Sequence, residues 1–382
     1  MRQHGDRVLE MHRAWVTGHH RRVLRAIAQC RTAALGGHRD RCDQCAQSAL
    51  SYNSCRDRHC PKCLTAARNA WVTAREDELL PVGYVHVVFT VPEPLARLAL
   101  ANQRVVYDLL FHSTAATLLQ VAANPKRLGA AIGGLMVLHT WGQRLQHHPH
   151  VHCVVPAGGL SPDGARWIHA RPNLFLPVKV LRQVFRGKLI AGLRRAWREG
   201  RLSFPGALQA LTPESAFRGW LRSLHHQPWV VYAKPPFGSP AHVLHYLARY
   251  THRVAISNHR LVAVTDDTVS FRWKDYRHGS QMRTLTIGVD DFLRRFLLHV
   301  LSKRFVRIRY FGLLAPRCRT ADLATCRAVL AVAPPPPTAP SVTLTCSWPC
   351  PRCGAPMRIV ERLTARQLFL AALLADLVYD SS

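Results

Sequence analysis

The stretch GLMVLHTWGQRLQHHPHVHCVV, residues 134–155, joins two apolar runs through a polar centre that is rich in histidine. Apolar and β-branched residues dominate both runs, which predicts two β-strands over 133–141 and 150–159. Side chains alternate along a strand, so His150 and His152 point to one face and the apolar residues between them point to a core. The stretch therefore predicts a hairpin with a histidine-bearing face.

The histidine face is a candidate site for a divalent metal ion. Neutral imidazole nitrogens two positions apart on a strand can share one cation. The proline before His150 suits the beginning of a strand, which favours His150 and His152 as the ordered pair. If Trp141 lies opposite His150 in an antiparallel hairpin, His139 lies opposite His152, and both His139 and Gln143 become candidates for a third ligand. The simpler alternative is an exposed polar face whose histidines bind nothing.

The charge of the chain indicates a polyanionic partner. Among 382 residues, Lys and Arg number 52 and Asp and Glu number 22, for a formal net charge of +30. Solubility alone needs far less charge, so nucleic acid is the simplest partner. No apolar run reaches the ~20 residues that span a bilayer, and the N-terminal residues lack a secretory apolar segment. We expect a cytoplasmic protein that is associated with nucleic acid.

The twelve cysteines are better interpreted as metal ligands than as disulfides, because we expect a reducing compartment. Cys42 with Cys45, and Cys60 with Cys63, form two Cys-x2-Cys pairs. Each pair places two thiolates on one tight turn, and two such turns can complete a tetrahedron around zinc. The sequence predicts one zinc site made of these four cysteines. Four further candidate ligands lie nearby: Cys30, His38, Cys55 and His59.

A third pair, Cys350 and Cys353, follows the proline-rich segment 333–340. It has no second Cys-x2-Cys pair beside it in the sequence. Whether it binds a second zinc ion is left open, and three other cysteines are candidates to complete such a site: Cys318, Cys326 and Cys346.

The segment HVLHYLARYTHRVA, residues 242–255, predicts a helix that carries Tyr246 and Tyr250 one turn apart on one face. Taken alone, these tyrosines are better explained by packing in a core. Arg249 and Arg253 flank them, however, and a core helix seldom carries so much charge. A phenol with a pKa near 10 needs a cation or a base to become a nucleophile. The metal-binding histidines and these tyrosines together predict transesterification of DNA, with the tyrosine retaining the 5′ phosphate.

These motifs in this order resemble the insertion-sequence transposases of the HUH, two-tyrosine, rolling-circle type, which carry a transposase zinc-binding domain. The likeness rests on YNSCRDRHCPKC (52–63), LHTWGQ (138–143), HPHVH (148–152) and YLARYTHR (246–253). The resemblance implies a ferredoxin-like or RRM-like α+β core, an antiparallel sheet flanked by helices, with His150 and His152 on a middle strand. It also implies Mg²⁺ or Mn²⁺, single-stranded DNA from the element ends and target, and Gln143 as the third metal ligand.

On this interpretation, residues 1–80 form a zinc-binding DNA-recognition domain and residues 81–330 form the HUH tyrosine transposase domain. A proline-rich linker follows at 331–341, and a small cysteine-containing tail at 342–382.

Two alternatives remain open at this point. The first is a transposase or nuclease that uses three carboxylates, for which the candidates are Glu76, Asp266, Asp267, Asp290 and Asp291. Such an enzyme forms no covalent adduct with DNA. The second is a non-catalytic zinc-dependent regulator that binds DNA, which would not need the histidine pair.

Overall fold

The computed structural model describes residues 1, 3–63, 71–72, 75, 78–171, 174–234, 255–276, 278–331 and 348–371. The chain forms two compact units: the first joins Met1–Ala67 with Pro335–Ser382, and the second is Arg68–Pro334. The α-helices in the described residues are α1 (Gly5–Met11), α2 (Gly18–Gln29), α3 (Glu93–Ala101), α4 (Gln103–Ala123), α5 (Val178–Arg198), α6 (Glu214–Ser223), α7 (Val289–Leu297) and α8 (Arg319–Val329). The strands are β1 (Gly37–Cys42), β2 (Ser48–Tyr52), β3 (Tyr84–Thr90), β4 (Gly133–Trp141), β5 (His147–Pro156), β6 (Gly158–Leu160), β7 (Trp167–His169), β8 (Val230–Ala233), β9 (Leu261–Val264), β10 (Thr268–Asp275), β11 (Gln281–Gly288), β12 (Ile308–Gly312) and β13 (Met357–Leu363).

The first unit contains a three-stranded antiparallel sheet of order β13-β1-β2. Strand β1 pairs with β13 from Gly37 opposite Leu363 to Cys42 opposite Met357. The sequence analysis treated the C-terminal residues as a separate tail, and the structure instead joins them to the N-terminal sheet. Pairing between strands so far apart in the sequence leaves no local signal, which is why the tail could not be assigned from its own residues.

The second unit is organised around a five-stranded antiparallel sheet of order β12-β4-β5-β3-β8. Strand β4 has the predicted bounds, and β5 begins at His147, three residues before the predicted start. Helices α3, α4 and α5 pack on one face of the sheet and form the main core with it. Val151, Cys153 and Val155 are fully buried in this core, as the alternation predicts. The mixture of helices and antiparallel sheets confirms the α+β class.

The opposite face of this sheet is divided into two parts. At one end, Leu135, Val137 and Val154 pack with residues of α8 such as Leu323. The other end carries histidines, because the same alternation that buries the odd positions of β5 turns its even positions to this face. Polar side chains therefore lie at one end of this face, whereas the other end is apolar.

Among the described residues, α4 is the one helix long and apolar enough to cross a membrane by length and composition. Tyr107, Leu110, Phe111 and Leu118 of α4 are almost fully buried in the main core. Packing against the sheet and α5 accounts for its apolar character.

Another three-stranded sheet, of order β11-β10-β9, contains a hairpin in which Asp266 and Asp267 lie between β9 and β10. Its inner face packs on α7 through Phe271, whose ring centroid lies 6.0 Å from that of Phe292. The two aspartates therefore occupy a turn.

Candidate metal centres

Strands β4 and β5 bring three histidines together at the polar end of the sheet. His139 lies directly opposite His150, and one ligand nitrogen from each of His139, His150 and His152 lies within 4.8 Å of the others. His139 is buried, and the other two are half-buried. Backbone pairing sets these positions, so the site is held by rigid elements.

The observed register differs from the one assumed in the sequence analysis by two residues. His139 is opposite His150 and Val137 is opposite His152, with an irregularity between His139 and Trp141. A shift of two residues leaves each side chain on the same face of the sheet, so His139 still lies on the face that carries the histidines. The shift brings His139 into line with His150, the first residue of the predicted pair.

Gln143, expected to be the third ligand, lies in the turn of the hairpin beyond the end of β4. Its side-chain oxygen accepts a hydrogen bond from the backbone N–H of Lys274 at 3.4 Å, and its carbonyl accepts one from Arg260. The side chain is thus directed to β10. The structure groups His139 with the predicted histidine pair, and Gln143 stays a prediction as a ligand.

A fourth histidine, which the sequence analysis did not single out, supports the site from β3. Nε2 of His86 and Nδ1 of His152 lie 2.8 Å apart and share a hydrogen bond, and the two rings are stacked at 5.0 Å. The alternation of β3 places His86 on the same face as His152. The position of His86 in an otherwise apolar strand was a signal that could have identified it.

Two histidines of the site, His150 and His86, have lowered pKa values, which favours their neutral form. Burial lowers the pKa of His150 to about 3, and burial together with Lys234 lowers the pKa of His86 to about 4. A neutral imidazole keeps a lone pair for a metal ion. Three imidazole nitrogens within 4.8 Å of one another can serve as ligands of one divalent metal ion.

Another residue on this face that the sequence analysis did not single out is Tyr232 of β8. Val88 of β3 lies opposite both His152 and Tyr232, so the three side chains form one row across the sheet. The side chain of Tyr232 is exposed. Tyr246 and Tyr250, the predicted nucleophiles, lie outside the described residues.

The cysteines form two groups, both in the first unit. Cys30, Cys55, Cys60 and Cys63 make one group, and the ligand atoms of each group lie within 4.8 Å of one another. The second group is made of Cys42, Cys45, Cys350 and Cys353. The two pairs that the sequence analysis joined in one site therefore lie in different groups. Cys60 and Cys63 are grouped with Cys30 and Cys55, and the other pair is grouped with Cys350 and Cys353. Local spacing identified the pairs but could not show which pairs meet.

Within each group the sulfur atoms lie close to the separation that tetrahedral zinc sets. The Sγ atom of Cys63 lies 3.5 Å from that of Cys30 and 3.6 Å from that of Cys55. Tetrahedral zinc with Zn–S bonds of about 2.3 Å sets its sulfurs about 3.8 Å apart. The other candidate ligands have other partners: His38 lies 3.5 Å from Asp40, and His59 lies 3.0 Å from Asp57.

The remaining cysteine candidates do not complete a metal site in the part of the chain that the structure describes. Cys318 donates to the carbonyl oxygen of Gly312 at 3.5 Å, and Cys326 of α8 is buried in the core with Leu323. Cys346 lies outside the described residues.

The candidate carboxylates likewise form no metal-binding group within the described ranges. Asp291 is engaged by Arg294 and Arg295 at 2.6 and 2.7 Å, and Asp266 and Asp267 lie in the hairpin turn described above. Glu76 lies outside the described residues. The geometry does not favour a three-carboxylate centre.

Comparison with known proteins identifies both parts of the chain. Residues 133–322 match the family model described as "Putative transposase", and residues 1–91 match the model described as "Transposase zinc-binding domain". The chain is 52% identical over 337 residues to "Putative transposase y4qJ" of Sinorhizobium fredii (strain NBRC 101917 / NGR234). The aligned region covers 88% of this chain and 84% of that protein. The chain is also 32% identical over 312 residues to "Transposase for insertion sequence element IS801" of Pseudomonas savastanoi pv. phaseolicola, covering 81% of this chain and 73% of that protein.

The matched zinc-binding domain and the cysteine groups together identify Zn²⁺ as a ligand of this chain, and DNA is the partner on which transposases act. The match to transposases favours a DNA-cleaving enzyme over a regulator without catalytic function. The chain belongs to the IS91 family of insertion-sequence transposases, with a transposase zinc-binding domain at its N-terminus.

Proposed function

We propose that this transposase nicks and rejoins single-stranded DNA at the ends of its element through a 5′-phosphotyrosine intermediate, as in rolling-circle transposition. The observation that carries the proposal is the group of three histidines, with one ligand nitrogen of each within 4.8 Å of the others, at the polar end of the five-stranded sheet. Tyr246 and Tyr250 are the proposed nucleophiles, and His139, His150 and His152 are the proposed ligands of Mn²⁺ or Mg²⁺.

The path of the chain supports a meeting of these groups. The backbone N–H of Lys234, just after β8, donates to the carbonyl oxygen of His86 at 2.9 Å. Tyr246 follows Lys234 by 12 residues. Twelve residues span about 18 Å even if all are helical, at about 1.5 Å per residue. The chain is therefore long enough to bring a tyrosine back to the histidines.

The proposed reaction conserves bond energy. The phenol oxygen of the tyrosine attacks the phosphorus atom, the bond from phosphorus to the 3′ oxygen breaks, and the 5′ phosphate remains on the enzyme. The phenol loses its proton, and the 3′ oxygen gains one, so that no water is consumed. A bound divalent ion would withdraw charge from the phosphate under attack. A second tyrosine can accept a second strand, which then rejoins by the reverse reaction.

We further propose that the zinc-binding domain positions the DNA through phosphate contacts. Arg56, Arg58 and Lys62 interleave with the cysteines of the first group and are exposed. Cations at fixed positions on a rigid turn suit phosphate oxygens, which set the register of the DNA but do not read its sequence.

The test is incubation with single-stranded DNA containing an element end and Mn²⁺, followed by a denaturing gel. We expect a covalent protein–DNA band for the wild type and none for the Tyr246→Phe/Tyr250→Phe double variant. Tyr276→Phe, at an exposed tyrosine outside this face, is the matched control and should retain the band.

Mass spectrometry of the DNA-linked peptide then assigns the nucleophile. An adduct on Tyr232, or a band that survives in the double variant, would show that the tyrosine assignment is wrong. Cleavage with no adduct at any stage would instead support attack by water and refute the phosphotyrosine mechanism.

A further inference from the structure

We propose that the chain binds two zinc ions, and that the second ion is held by Cys42 and Cys45 together with Cys350 and Cys353. This second site joins segments that lie more than 300 residues apart in the sequence. It makes the C-terminal residues an integral part of the zinc-binding domain. The inference is independent of the tyrosine mechanism.

The two halves of the proposed site have the same local geometry. In the first turn, the backbone N–H of Ala46 donates to the carbonyl oxygen of Cys42 at 3.0 Å, and Ala46 has a φ of 56°. In the second turn, the N–H of Gly354 donates to the carbonyl oxygen of Cys350 at 2.8 Å, and Gly354 has a φ of 76°. A non-glycine residue with positive φ is uncommon, so the turn at Ala46 is held in a specific shape. Each turn presents its two thiols in one direction.

The thiols of the two turns face each other. The Sγ atom of Cys42 lies 3.5 Å from that of Cys353, and the Sγ atom of Cys45 lies 3.6 Å from that of Cys350. Both separations are far longer than the ~2.05 Å of a disulfide and close to the ~3.8 Å between sulfurs of tetrahedral zinc. The N–H of Arg352 also donates to the sulfur of Cys350 at 3.4 Å, which favours a thiolate there. The four sulfurs form a ready set of zinc ligands.

The strands beneath these turns bring the two segments together. Strand β1 ends at Cys42, and the residue opposite it is Met357, the first of β13. Trp348 donates its indole N–H to Asp40 at 3.1 Å, just before the second turn begins. The turns therefore project from the same end of one sheet.

The apolar core at this end of the sheet is small. Its fully buried members among the described residues are Cys42, Cys350 and Met357, and most of β13 is exposed. The ion pair between Arg358 and Asp43 is exposed, and such pairs stabilise weakly. Because closing a loop of this length costs conformational entropy, a metal ion is the natural source of the missing stabilisation.

The first group differs in that all four cysteines fall between Cys30 and Cys63. A zinc ion there closes only a local segment. The domain thus combines one local site with one site that requires both segments of the chain. Loss of any of the four cysteines of the second group should therefore remove the same zinc ion.

The test is the zinc content of the purified full-length protein, measured by elemental analysis under reducing conditions. We expect two zinc ions per chain in the wild type and one in Cys353→Ser. The Cys45→Ser/Cys353→Ser double variant should also retain one, because both substitutions remove the same ion. Cys60→Ser should retain the ion of the second group. Cys318→Ser, at a cysteine outside both groups, is the matched control and should retain two.

A variant that replaces the ligand separates loss of zinc from loss of folding. Cys353→His supplies an imidazole, which also binds zinc, and should restore two ions per chain. Replacement of zinc by Co²⁺ should give thiolate-to-cobalt absorption for two sites in the wild type and one in Cys353→Ser. One zinc ion in the wild type, or two in both Cys353→Ser and the double variant, would overturn the proposal. None of these readouts depends on DNA cleavage, so the result stands apart from the proposed function.

Discussion

The third ligand of the proposed catalytic metal can be decided by two substitutions, His139→Ala and Gln143→Ala. His139 supplies one of three grouped nitrogens, whereas the side-chain oxygen of Gln143 bonds to the backbone of Lys274. We expect His139→Ala to weaken Mn²⁺ binding strongly and Gln143→Ala to leave it unchanged.

The expected magnitudes follow from the roles of these two side chains. Changes in groups that only orient a ligand cost about 10- to 100-fold in metal affinity, so loss of a direct ligand should cost at least about 100-fold. A 100-fold loss corresponds to about 2.8 kcal/mol. The hydrogen bond from Lys274 to Gln143 is long at 3.4 Å, so its loss should reduce the free energy of unfolding by less than about 1 kcal/mol.

The assay is calorimetric titration of each full-length variant with Mn²⁺. Thermal unfolding without added Mn²⁺ is measured in parallel, since His139 is buried and its removal also leaves a cavity. His139→Gln, which retains a polar side chain, should still bind Mn²⁺ weakly. If Gln143→Ala reduces Mn²⁺ affinity as much as His139→Ala does, our assignment of the third ligand is refuted.

Three further predictions concern neighbouring features. His86→Phe keeps a ring but removes the hydrogen bond to His152, so it should weaken Mn²⁺ binding by about 10- to 100-fold without changing the zinc content; an unchanged Mn²⁺ titration would exclude a positioning role. Burial lowers the pKa of His299 to about 4, so below pH 6.5 the unfolded state binds more protons than the folded state. The free energy of unfolding should therefore fall by up to about 1.4 kcal/mol per pH unit as the pH is lowered from 6 to 4. His299→Phe should flatten this slope, as measured in denaturant titrations. Binding of single-stranded DNA should weaken steeply as the salt concentration rises. The triple variant Arg56→Ala/Arg58→Ala/Lys62→Ala should reduce the slope of log K against log salt by about 0.7 for each phosphate that these side chains neutralise. Equal slopes for the variant and the wild type would count against phosphate contacts by these three side chains.

Periodicity was sufficient to identify two strands of the five-stranded sheet, β4 and β5. The sequence predicted strand β4 with its observed bounds, and it predicted which residues of β5 face the core. It also identified the paired cysteines and the histidine pair. These features depend on side chains two or three positions apart, so a short stretch of chain contains all the information that they require.

Contacts between distant elements could not be predicted in this way. A shift of two residues in the pairing of β4 with β5 retains the same faces, so alternation could not show that His139 lies opposite His150. The hydrogen bond from His86 requires β3 to pair beside β5, which no local pattern records.

The amino-acid sequence by itself determined the strands, the histidine-bearing face, the basic charge and the Cys-x2-Cys turns of this transposase. The tertiary structure decided which histidine joins the pair and which cysteine turns share a metal site. The physical reason is that spacing along the chain sets the direction of a side chain, whereas a metal site requires atoms within a few ångströms of one another. Cys42 and Cys353 reach that distance only because β1 and β13 pair across the length of the chain.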